Sequence, residues 1–351
     1  MPESFLKKAL RGFEPYVPGE QPPEGEGWIK LNTNESPLPP SPKVVEAIQA
    51  AAGPSLRLYP SATAAPARAA IAAHLDLKPE QVVLGNGADE LIEMCFRAFA
   101  GRGDDVAYPT PTYPLFEPLC HIHEAIPAPH PTDEGWTWTK ALTEDPARLK
   151  FIVNPNSPTG TWTAEAAVEE VVAGSHGVVV LDEAYVDFAP ESCIGLLERH
   201  SNLLILRTFS KSYALAGMRI GFALGDPELI AALAAVRDSY NMDRLAIVAA
   251  VAAIQDDDHH RKIVDHVVAE RAWLAEQLRE LRFDVAPSAA NFLFVQPPPG
   301  ASAAAVADAL RERLILVRHY DREPIAGRLR ITIGTRDQHE RLLGALKEVI
   351  E

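Results

Sequence analysis

The sequence predicts an α/β protein with a large domain, whose mostly parallel central sheet is covered by helices, and a smaller α+β domain. Runs of consecutive apolar residues alternate with helical segments, which is typical of a parallel sheet with helices on both faces. A length of 351 residues exceeds what one small hydrophobic core can organise, and it therefore favours two lobes. After about residue 255 the pattern changes to a long helix followed by separated strands, which predicts the smaller domain.

Four apolar runs that end in polar residues define the predicted large sheet. PEQVVLGNGADELIEMCFRAFA (79–100) predicts a strand, a glycine turn and an amphipathic helix, and KFIVNPNSPTG (150–160) predicts a strand that enters a Pro/Asn turn. GVVVLDEAYVDF (177–188) and NLLILRTFSKSY (202–213) are apolar runs that end in charged or hydroxyl residues. Because ligands of open parallel sheets collect at the carboxyl ends of the strands, these polar residues are expected to converge on one site.

The segment after residue 255 supplies the elements of the smaller domain. Its helical pattern continues through Leu281 and is followed by a strand at 291–296, a helix at about 302–313, strands at 314–320 and 328–334, and a closing helix. The Pro-, Gly- and Glu-rich stretch 18–28 predicts a surface loop. We therefore expect three regions, which are an N-terminal segment (1–40) packed beside the small domain, a large domain (41–254) and a small C-terminal domain (255–351).

The composition is that of an ordinary globular protein, with 47% hydrophobic and 23% charged residues. The formal net charge is −15, so electrostatics gives no support to nucleic-acid binding. No apolar run reaches the length of a membrane span, and the N-terminal MPESFLKKALRGFEPY lacks the sustained apolar stretch of a secretory signal. We predict a cytoplasmic protein that binds neither nucleic acid nor a membrane.

The cysteines and histidines predict neither a disulfide framework nor a metal site. Cys95, Cys120 and Cys193 form no CxxC pair, and we expect them to be reduced thiols. The histidine pairs 121/123 and 259/260 lack further ligands at the spacing that a metal site requires.

The glycine turn GNGADE (85–90) is a candidate phosphate site. It lacks the third glycine of the GxGxxG dinucleotide pattern, because position 90 is Glu. A strand–glycine–helix junction nevertheless presents backbone N–H groups and the positive end of a helix dipole to an anion. The alternative is a tight turn in which Asp89 is a favourable charge near the helix start, and both remain open from these residues alone.

Asp182 and Lys211 follow two of the predicted strands directly. Asp182 is interpreted either as an N-terminal helix cap or as a carboxylate that stays ionised beside a protonated ring nitrogen. Lys211 is interpreted either as a surface lysine with a buried stem or as a lysine that forms a Schiff base, with Ser210 and Arg219 beside it to bind a phosphate. A phosphate cradle, a carboxylate for a ring nitrogen and an imine-forming lysine together match the requirements of pyridoxal 5′-phosphate.

Motifs along nearly the whole chain resemble one enzyme family. These motifs are LNTNESPLPPSP, RLYPSA, GNGADELI, YPTPTYP, NPNSPTG, DEAYVDF, RTFSKSYALAGMRIG and RLRITIGTR. The sequence resembles the fold-type-I aminotransferases, and more closely their histidinol-phosphate aminotransferase branch. The resemblance implies the aminotransferase fold, with pyridoxal 5′-phosphate bound by the large domain.

The resemblance also implies roles for individual residues around the cofactor. Lys211 is expected to form the aldimine with the cofactor, Asp182 to bind the pyridinium nitrogen and Tyr185 to hydrogen-bond the phenolic oxygen. Tyr113 is expected to stack on the pyridine ring. The expected phosphate ligands are Ala88, Asp89, Ser210 and Arg219, together with Tyr59 from the neighbouring subunit of a homodimer.

Two positions depart from the pattern of the family. The residue immediately before PTG is commonly an Asn that binds the phenolic oxygen, whereas this chain has Ser157 there and Asn156 one residue earlier. Either residue is a candidate for the contact. Ser61 stands where the tyrosine motif often continues with Asp, which affects the local turn rather than the role of Tyr59.

Substrate binding is assigned to two arginines and two N-terminal residues. In RLRITIG, Arg328 and Arg330 alternate with apolar residues, and a half-buried arginine suits a carboxylate or a phosphate. The resemblance makes Arg330 the ligand of the α-carboxylate of the amino acid or of the phosphate of histidinol phosphate. Arg318, Tyr16 and Asn34 are further candidates for the substrate pocket.

The resulting hypothesis is an aminotransferase that interconverts histidinol phosphate and 2-oxoglutarate with imidazole-acetol phosphate and glutamate, in histidine biosynthesis. Its expected mechanism is ping-pong, with Lys211 moving a proton between the substrate Cα and the cofactor C4′. The alternatives are an aromatic-amino-acid aminotransferase, a threonine-phosphate decarboxylase, and a non-catalytic regulatory protein that retains the domain. The role of Ser212 stays open at this stage.

Overall fold

The computed structural model describes residues 5, 7, 10, 11, 13, 15–23 and 25–350. Its larger sheet has seven strands in the order β2-β8-β7-β6-β5-β3-β4. The strands are β2 (Val82–Asn86), β3 (Asp105–Thr110), β4 (Ile126–Pro131), β5 (Leu149–Val153), β6 (Val178–Asp182), β7 (Leu203–Thr208) and β8 (Ile220–Gly225). All neighbouring pairs are parallel except those of β8, which is antiparallel to both β2 and β7.

Helices cover the two faces of this sheet. They are α1 (Pro42–Ala51), α2 (Ala65–His74), α3 (Ala88–Phe99), α4 (Phe116–His123), α5 (Lys140–Glu144), α6 (Glu165–Gly174), α7 (Pro227–Val236) and α8 (Arg244–Ile254). Alternate residues of a buried strand contribute to the hydrophobic cores on opposite faces. On β6, Val179 and Leu181 pack in one core and Val180 packs in the other, so the sheet is buried on both sides as its apolar runs predict.

A second sheet of five strands forms the smaller lobe, in the order β1-β11-β12-β10-β9. Its strands are β1 (Ile29–Leu31), β9 (Asp284–Val285), β10 (Phe292–Gln296), β11 (Ile315–His319) and β12 (Leu329–Thr332), and its helices are α9 (Asp257–Glu280), α10 (Ala303–Glu312) and α11 (Arg336–Ile350). Strand β1 pairs in parallel with β11, so Ile29 lies opposite Ile315. The N-terminal segment thereby becomes an edge strand of a sheet built mainly from the end of the chain.

The α/β fold class is confirmed, and the predicted strands and helices match the structure closely. Strands β2, β5, β6 and β7 lie within the four apolar runs, and α9 ends at Glu280, one residue before the predicted end. Strands β1, β8 and β9 were not predicted, and neither were β3 and β4. Their sequences, DVAYPT and IPAPHP, contain prolines, which remove backbone donors and obscure a strand pattern.

In the ranges that the structure describes, no helix combines the length and apolarity needed to cross a membrane. The same residues contain no group of three or more His, Cys, Asp or Glu side chains that is arranged to hold a metal ion. Cys95, Cys120 and Cys193 are buried free thiols.

Candidate active site

A cavity of about 200 Å³ lies where the carboxyl ends of β5, β6 and β7 meet the small lobe. The strand ends and the loops that follow them form its floor, and β11, β12 and the N-terminal segment form the opposite wall. The predicted site residues that line it are Tyr16, Asn34, Ala88, Asp89, Tyr113, Ser157, Asp182, Tyr185, Ser210, Lys211, Arg219, Arg318 and Arg330. The structure therefore brings together residues that lie as far apart in the sequence as Tyr16 and Arg330.

Lys211 follows β7 in a loop whose start is fixed by side-chain hydrogen bonds. The Oγ1 of Thr208 bonds to the Oγ of Ser210 at 3.0 Å and accepts from the Ser210 backbone N–H at 3.1 Å. Lys211 Nζ lies 3.5 Å from the Thr33 carbonyl oxygen and 5.6 Å from the centre of the Tyr185 ring. The amine is thus held inside the cavity, near an aromatic ring and one carbonyl.

Asp182 is a buried carboxylate at the end of β6. Side chains alternate across a strand, so Asp182 lies on the opposite face from Glu183 and beside the cavity. Its Oδ1 accepts a hydrogen bond from the Ala184 N–H at 2.9 Å. Burial raises the pKa of Asp182 to about 7, against the lowering effects of the Ala184 hydrogen bond and the Lys211 charge. A cation placed beside this carboxylate would restore its ionised form.

The start of α3 faces the cavity from the side of β2 and β8. Gly87 precedes it with φ +81°, and no side chain caps the helix. A Cβ on Gly221 of β8 would lie 2.6 Å from the Gly87 carbonyl carbon and 2.7 Å from the Ala88 nitrogen. Only glycine therefore allows β8 to pass so close to the helix start, whose backbone N–H groups point toward the cavity as an anion site requires.

Arg219, Asp89 and Tyr113 form a chain of contacts beside this helix start. Arg219 Nη2 lies 3.2 Å from Asp89 Oδ2, and the Tyr113 hydroxyl donates to Asp89 Oδ1 at 2.8 Å. Burial first, and then the nearby Asp89 charge, raises the pKa of Tyr113 well above its ordinary value. Tyr113 is therefore a neutral aromatic wall of the cavity, and Tyr16 packs edge-on against it at 5.9 Å.

Tyr185 is held by Asn34 on the opposite side of the cavity. The Asn34 Nδ2 donates to the Tyr185 hydroxyl at 2.9 Å. Asn34 has φ 55° and is 1% exposed, and its main chain is held by Thr332 and Asn291. A rigid loop of the N-terminal segment therefore fixes the direction of the phenol.

The two predicted arginines lie on adjacent strands of the small sheet. Arg330 Nη2 donates to the Asn32 carbonyl at 2.8 Å and Nη1 to Ser157 Oγ at 3.2 Å. Its Nε is buried without a hydrogen-bond partner among the described residues. Arg318 is the neighbour of Arg330 in the strand register, and its guanidinium donates to the carbonyls of Val17 and Pro18.

Asn156 and Ser157 have different surroundings. Ser157 lines the cavity, whereas Asn156 does not. Both N–H bonds of the Asn156 amide are used inside the turn, by the Pro111 carbonyl and the Thr159 hydroxyl, and its oxygen accepts from Thr112. The Asn156 amide thus stabilises the turn that presents Ser157, and the contact of either residue with the cofactor stays a prediction.

Tyr59 lies outside the cavity of its own chain. It is 79% exposed and stacks on Tyr240 with ring centres 4.6 Å apart. Arg244 donates to its carbonyl oxygen. The position is compatible with a contact made to a second subunit, and that role stays a prediction.

Some cavity residues were not predicted individually. They are Asn32, Thr33, Thr208 and Tyr320. Asn32 and Thr33 contribute backbone carbonyls, which no side-chain motif reveals. Thr208 lies at the end of the same polar run as Lys211 and was identifiable from that position alone.

Comparisons with known proteins agree with this geometry. A family model described as aminotransferase class I and II matches residues 26–346. The chain is 42% identical over 344 residues to the histidinol-phosphate aminotransferase of Geotalea uraniireducens, covering 98% of this chain and 99% of the relative. It is 44% identical over 350 residues to that of Acetobacter pasteurianus, covering 99% and 98%.

A solved structure has the same fold. The crystal structure of histidinol-phosphate aminotransferase from Sinorhizobium meliloti in complex with pyridoxal-5′-phosphate superposes with a TM-score of 0.85 at 28% identity, covering 92% of this chain and 90% of that one. The sequence match, the fold and the clustered site residues lead to one conclusion. The chain belongs to the aminotransferase class I and II family, in the branch of the histidinol-phosphate aminotransferases.

Proposed function

We propose that this chain is a pyridoxal-phosphate-dependent aminotransferase that interconverts histidinol phosphate and 2-oxoglutarate with imidazole-acetol phosphate and glutamate. The observation that carries the proposal is the presence in one cavity of Lys211, the buried Asp182, the start of α3 and Arg330. Full-length relatives that bear this enzyme name support it. Lys211 and Asp182 indicate the class of reaction, and Arg318 and Arg330 indicate an anionic substrate.

The cavity fits this cofactor by the chemistry of its side chains. Asp182 is a buried carboxylate whose pKa is raised to about 7 by burial, which is the environment that a cationic ring nitrogen relieves. The start of α3 lines the cavity through Ala88 and Asp89, and the backbone N–H groups of a helix start suit an anion. When bound, pyridoxal 5′-phosphate would supply an electron sink for a carbanion at the substrate Cα.

Each cavity residue then has a task that its position explains. Asp182 holds a proton on the ring nitrogen, through the Oδ2 that Ala184 leaves free. Tyr185, oriented by Asn34, and Ser157 would hydrogen-bond the phenolic oxygen, and Tyr113 would pack against the ring. Lys211 Nζ, which is held inside the cavity near the Thr33 carbonyl, would accept the proton of the substrate Cα as a general base and return it as a general acid.

The substrate end of the cavity is built for anions. Arg330 lines the cavity, and a guanidinium binds carboxylate and phosphate oxygens in a fixed fork geometry. Arg318 lies next to it on β11. The same pair would bind a carboxylate of glutamate and the phosphate of the imidazole substrate in alternate half-reactions.

We further propose a homodimer in which Tyr59 reaches the cofactor phosphate of the neighbouring subunit. Leu56 and Leu58 are each 52% exposed beside Tyr59, and an apolar groove formed by α8 and residues near Pro60 adjoins them. A contiguous exposed apolar surface of this kind marks an interaction site. We also propose the division into an N-terminal segment (1–40), a large domain (41–254) and a small domain (255–351), which the pairing of β1 with β11 supports.

A substrate panel tests the proposed function. Purified protein is assayed with glutamate and imidazole-acetol phosphate, with glutamate and phenylpyruvate, and with phosphothreonine. We expect the highest kcat/KM with imidazole-acetol phosphate. Equal or faster turnover of phenylpyruvate would contradict the proposed substrate, and carbon dioxide release from phosphothreonine would indicate a decarboxylase. Absence of cofactor attachment at Lys211 would contradict the enzyme class itself.

Two neighbouring arginines provide a test and its matched control. Arg330 lies on β12, and Arg328 directly precedes that strand. Arg330→Lys removes the forked donor and should lower kcat/KM for the phosphorylated substrate roughly a hundredfold. Arg328→Lys alters a residue two positions away that is paired with Asp284 at 2.5 Å and lies outside the cavity lining. It should leave kcat/KM within about twofold of the wild type.

A further inference from the structure

A buried polar cluster lies directly behind the cavity wall, on the other side of the residues that carry Asp182 and Lys211. We call it the rear cluster, and its members are Glu183, Asp187, Ser192, Arg207, Ser212, Tyr213 and His260. Arg207 donates to Glu183 Oε2 at 2.8 Å and 3.1 Å, and Ser192 joins both side chains. Buried ionic side chains are costly to desolvate, so their placement next to a reactive lysine calls for an explanation.

The rear cluster holds the backbone on the C-terminal side of Lys211. Ser212, which is 1% exposed, donates its hydroxyl proton to Asp187 Oδ2. On the N-terminal side, Ser210 is bound by Thr208 through both its hydroxyl and its backbone N–H. Both neighbours of Lys211 are therefore fixed, while Nζ makes one hydrogen bond within the described part of the chain, to Thr33 at 3.5 Å, and lies 5.6 Å from the centre of the Tyr185 ring.

Asp187 belongs to the segment that supplies two cavity side chains. Asp182 and Tyr185 line the cavity, whereas Glu183 and Asp187 of the same segment turn away from it into the rear cluster. The bond from Ser212 to Asp187 thus joins the lysine loop to the segment that carries Asp182. It fixes the position of the lysine relative to the carboxylate at the far side of the cavity.

Asp187 is itself held by the small-lobe helix α9. His260 Nε2 of α9 lies 3.4 Å from Asp187 Oδ2, and the Tyr213 ring stacks on the imidazole at 4.1 Å. Burial raises the pKa of Asp187, but His260, the Arg207 charge and the Ser212 hydrogen bond outweigh it and hold the pKa below its ordinary value. Asp187 is therefore an ionised acceptor at neutral pH, which strengthens its hydrogen bond with Ser212.

We propose that Asp187 is a positioning residue for Lys211, which it holds in place through the Ser212 hydroxyl. The inference rests on the proposed function, because it assigns a task to residues that serve the cofactor lysine. Asp187 touches neither the cavity nor its contents, and it acts through Ser212 alone. Loss of this bond frees one side of the lysine backbone, and a misplacement of about 1 Å at a reacting group costs up to roughly a hundredfold in rate.

The test compares Ser212→Ala and Asp187→Asn with the control Ser192→Ala. Ser192 belongs to the same rear cluster but contacts Glu183 and Arg207 rather than the lysine loop. Cofactor-free proteins are mixed with pyridoxal 5′-phosphate, quenched with borohydride at increasing times, and digested to measure by mass spectrometry the rate of attachment at Lys211. The kcat and KM of the loaded enzymes and the thermal unfolding of the cofactor-free proteins are measured in parallel.

We expect Ser212→Ala to attach the cofactor about tenfold more slowly and to lose roughly tenfold in kcat, with KM within about twofold of the wild type. Asp187→Asn keeps an acceptor oxygen but loses the charge, so its loss should be smaller and in the same direction. Ser192→Ala should attach the cofactor at the wild-type rate, even if its unfolding temperature falls.

Three results would overturn the proposal. The first is wild-type attachment and wild-type kcat in Ser212→Ala. The second is an equal loss in all three variants in step with their unfolding temperatures, because the rear cluster would then only stabilise the fold. The third is failure of both Ser212→Ala and Asp187→Asn to fold. If the wild-type protein itself does not attach the cofactor at Lys211, the proposed function fails, and that result is distinct from these three.

Discussion

Asp182 combines two properties that oppose each other in the cofactor-free protein. It must be ionised to hold a protonated ring nitrogen, yet burial raises its pKa from 3.8 to about 7. The pKa of Asp182 is higher in the folded state than in the unfolded state. At pH values between 3.8 and about 7, the folded state therefore retains a proton that the unfolded state has released. The free energy of unfolding therefore falls as pH rises through this window and stays lower above it.

We expect Asp182→Asn to stabilise the cofactor-free protein above about pH 7 and to inactivate the enzyme. The gain has an upper limit on the order of 4 kcal/mol, since each unit of pKa shift corresponds to about 1.4 kcal/mol. Urea unfolding of both cofactor-free proteins at about pH 5 and about pH 8 measures it. The loss in kcat should be about a hundredfold or more. A wild-type unfolding free energy that rises with pH, by the same amount in both proteins, would contradict this account.

At the residue scale, the sequence predicts which residue types line the cavity better than it predicts the direction of individual side chains. Lys211, Asp182 and Arg330 were predicted from their residue types and strand positions, and all three line the cavity. The choice between Asn156 and Ser157 was beyond the sequence, because it depends on which way a proline-rich turn directs two adjacent side chains. Ser212 was equally open, since its acceptor Asp187 is distant in sequence, and the resemblance assigned Asp187 no role although it lies in the DEAYVDF motif.

At the scale of elements, the close approach of β8 to the start of α3 leaves no space for a side chain at Gly221. Gly221→Ala would place a Cβ 2.6 Å from Gly87 and 2.7 Å from Ala88, both on backbone atoms that cannot turn aside. We expect a loss of about 1–3 kcal/mol in the free energy of unfolding. Cofactor affinity should also fall, because the displaced helix start is the proposed phosphate site. Urea unfolding and cofactor titration measure the two effects.

Gly344→Ala is the matched control for this substitution. Gly344 is an exposed residue within α11, and a Cβ there would meet nothing within 4 Å. Alanine should stabilise the protein by about 0.5–1 kcal/mol through helix propensity, with unchanged cofactor affinity. A comparable loss in both variants would show that β8 and α3 are less tightly packed than the distances indicate.

A buried histidine links α11 to α9 and should make the small lobe sensitive to acid. His339 is fully buried, accepts from the Gly334 N–H at 2.7 Å, and faces Glu270 at 3.1 Å. Burial lowers its pKa below the ordinary 6.5, although Glu270 opposes this. Below pH 6.5 the His339 imidazole is therefore protonated more readily in the unfolded state than in the folded state. The free energy of unfolding consequently decreases as pH falls below 6.5.

His339→Gln should remove this dependence. We expect the variant to be about 1–3 kcal/mol less stable than the wild type near pH 7.5. The difference between the two proteins should shrink near pH 5.5, because only the wild type loses the histidine contribution. Urea unfolding at both pH values measures it. A constant difference would show that His339 keeps the same protonation in both states.

The element predictions were correct where a strand is an uninterrupted apolar run and incomplete elsewhere. Strands β5, β6 and β7 are buried on both faces, so their sequences are mainly apolar, and the charged residues are Lys150 within β5 and Asp182 and Arg207 near the ends of β6 and β7. The direction of β8, antiparallel in an otherwise parallel sheet, has no local signature, because direction depends on where the connecting chain crosses. Strand β1 has only three residues and is defined by its partner β11 rather than by its own pattern.

At the scale of the whole molecule, the proposed dimer can be tested by mixing inactive chains. Tyr59→Phe keeps the ring that stacks on Tyr240 but removes the hydroxyl, and should weaken cofactor binding about ten- to hundredfold. Lys211→Ala should be inactive. In a hybrid dimer, the site with an intact Lys211 would receive an intact Tyr59 from its partner.

Random mixing should therefore restore roughly a quarter of the wild-type activity, measured at a cofactor concentration that does not saturate Tyr59→Phe. Refolding the two proteins separately and then combining them is the control, since it forms no hybrids. If Tyr59 acts within its own chain or not at all, the mixture will give only the average of its two components. Light scattering reports the oligomeric state of each sample.

The parallel pairing of β1 with β11 has a consequence for the order in which the molecule is completed. Ile29 is among the first residues of the described lobe, and its partner Ile315 lies near the opposite end of the sequence. On the ribosome, the large sheet is synthesised in full while β1 still lacks a neighbour. The part of the cavity that contains Lys211 is thus synthesised before the part that contains Arg318 and Arg330. We therefore expect a nascent chain to complete its proposed cofactor-binding residues before its proposed substrate-binding arginines.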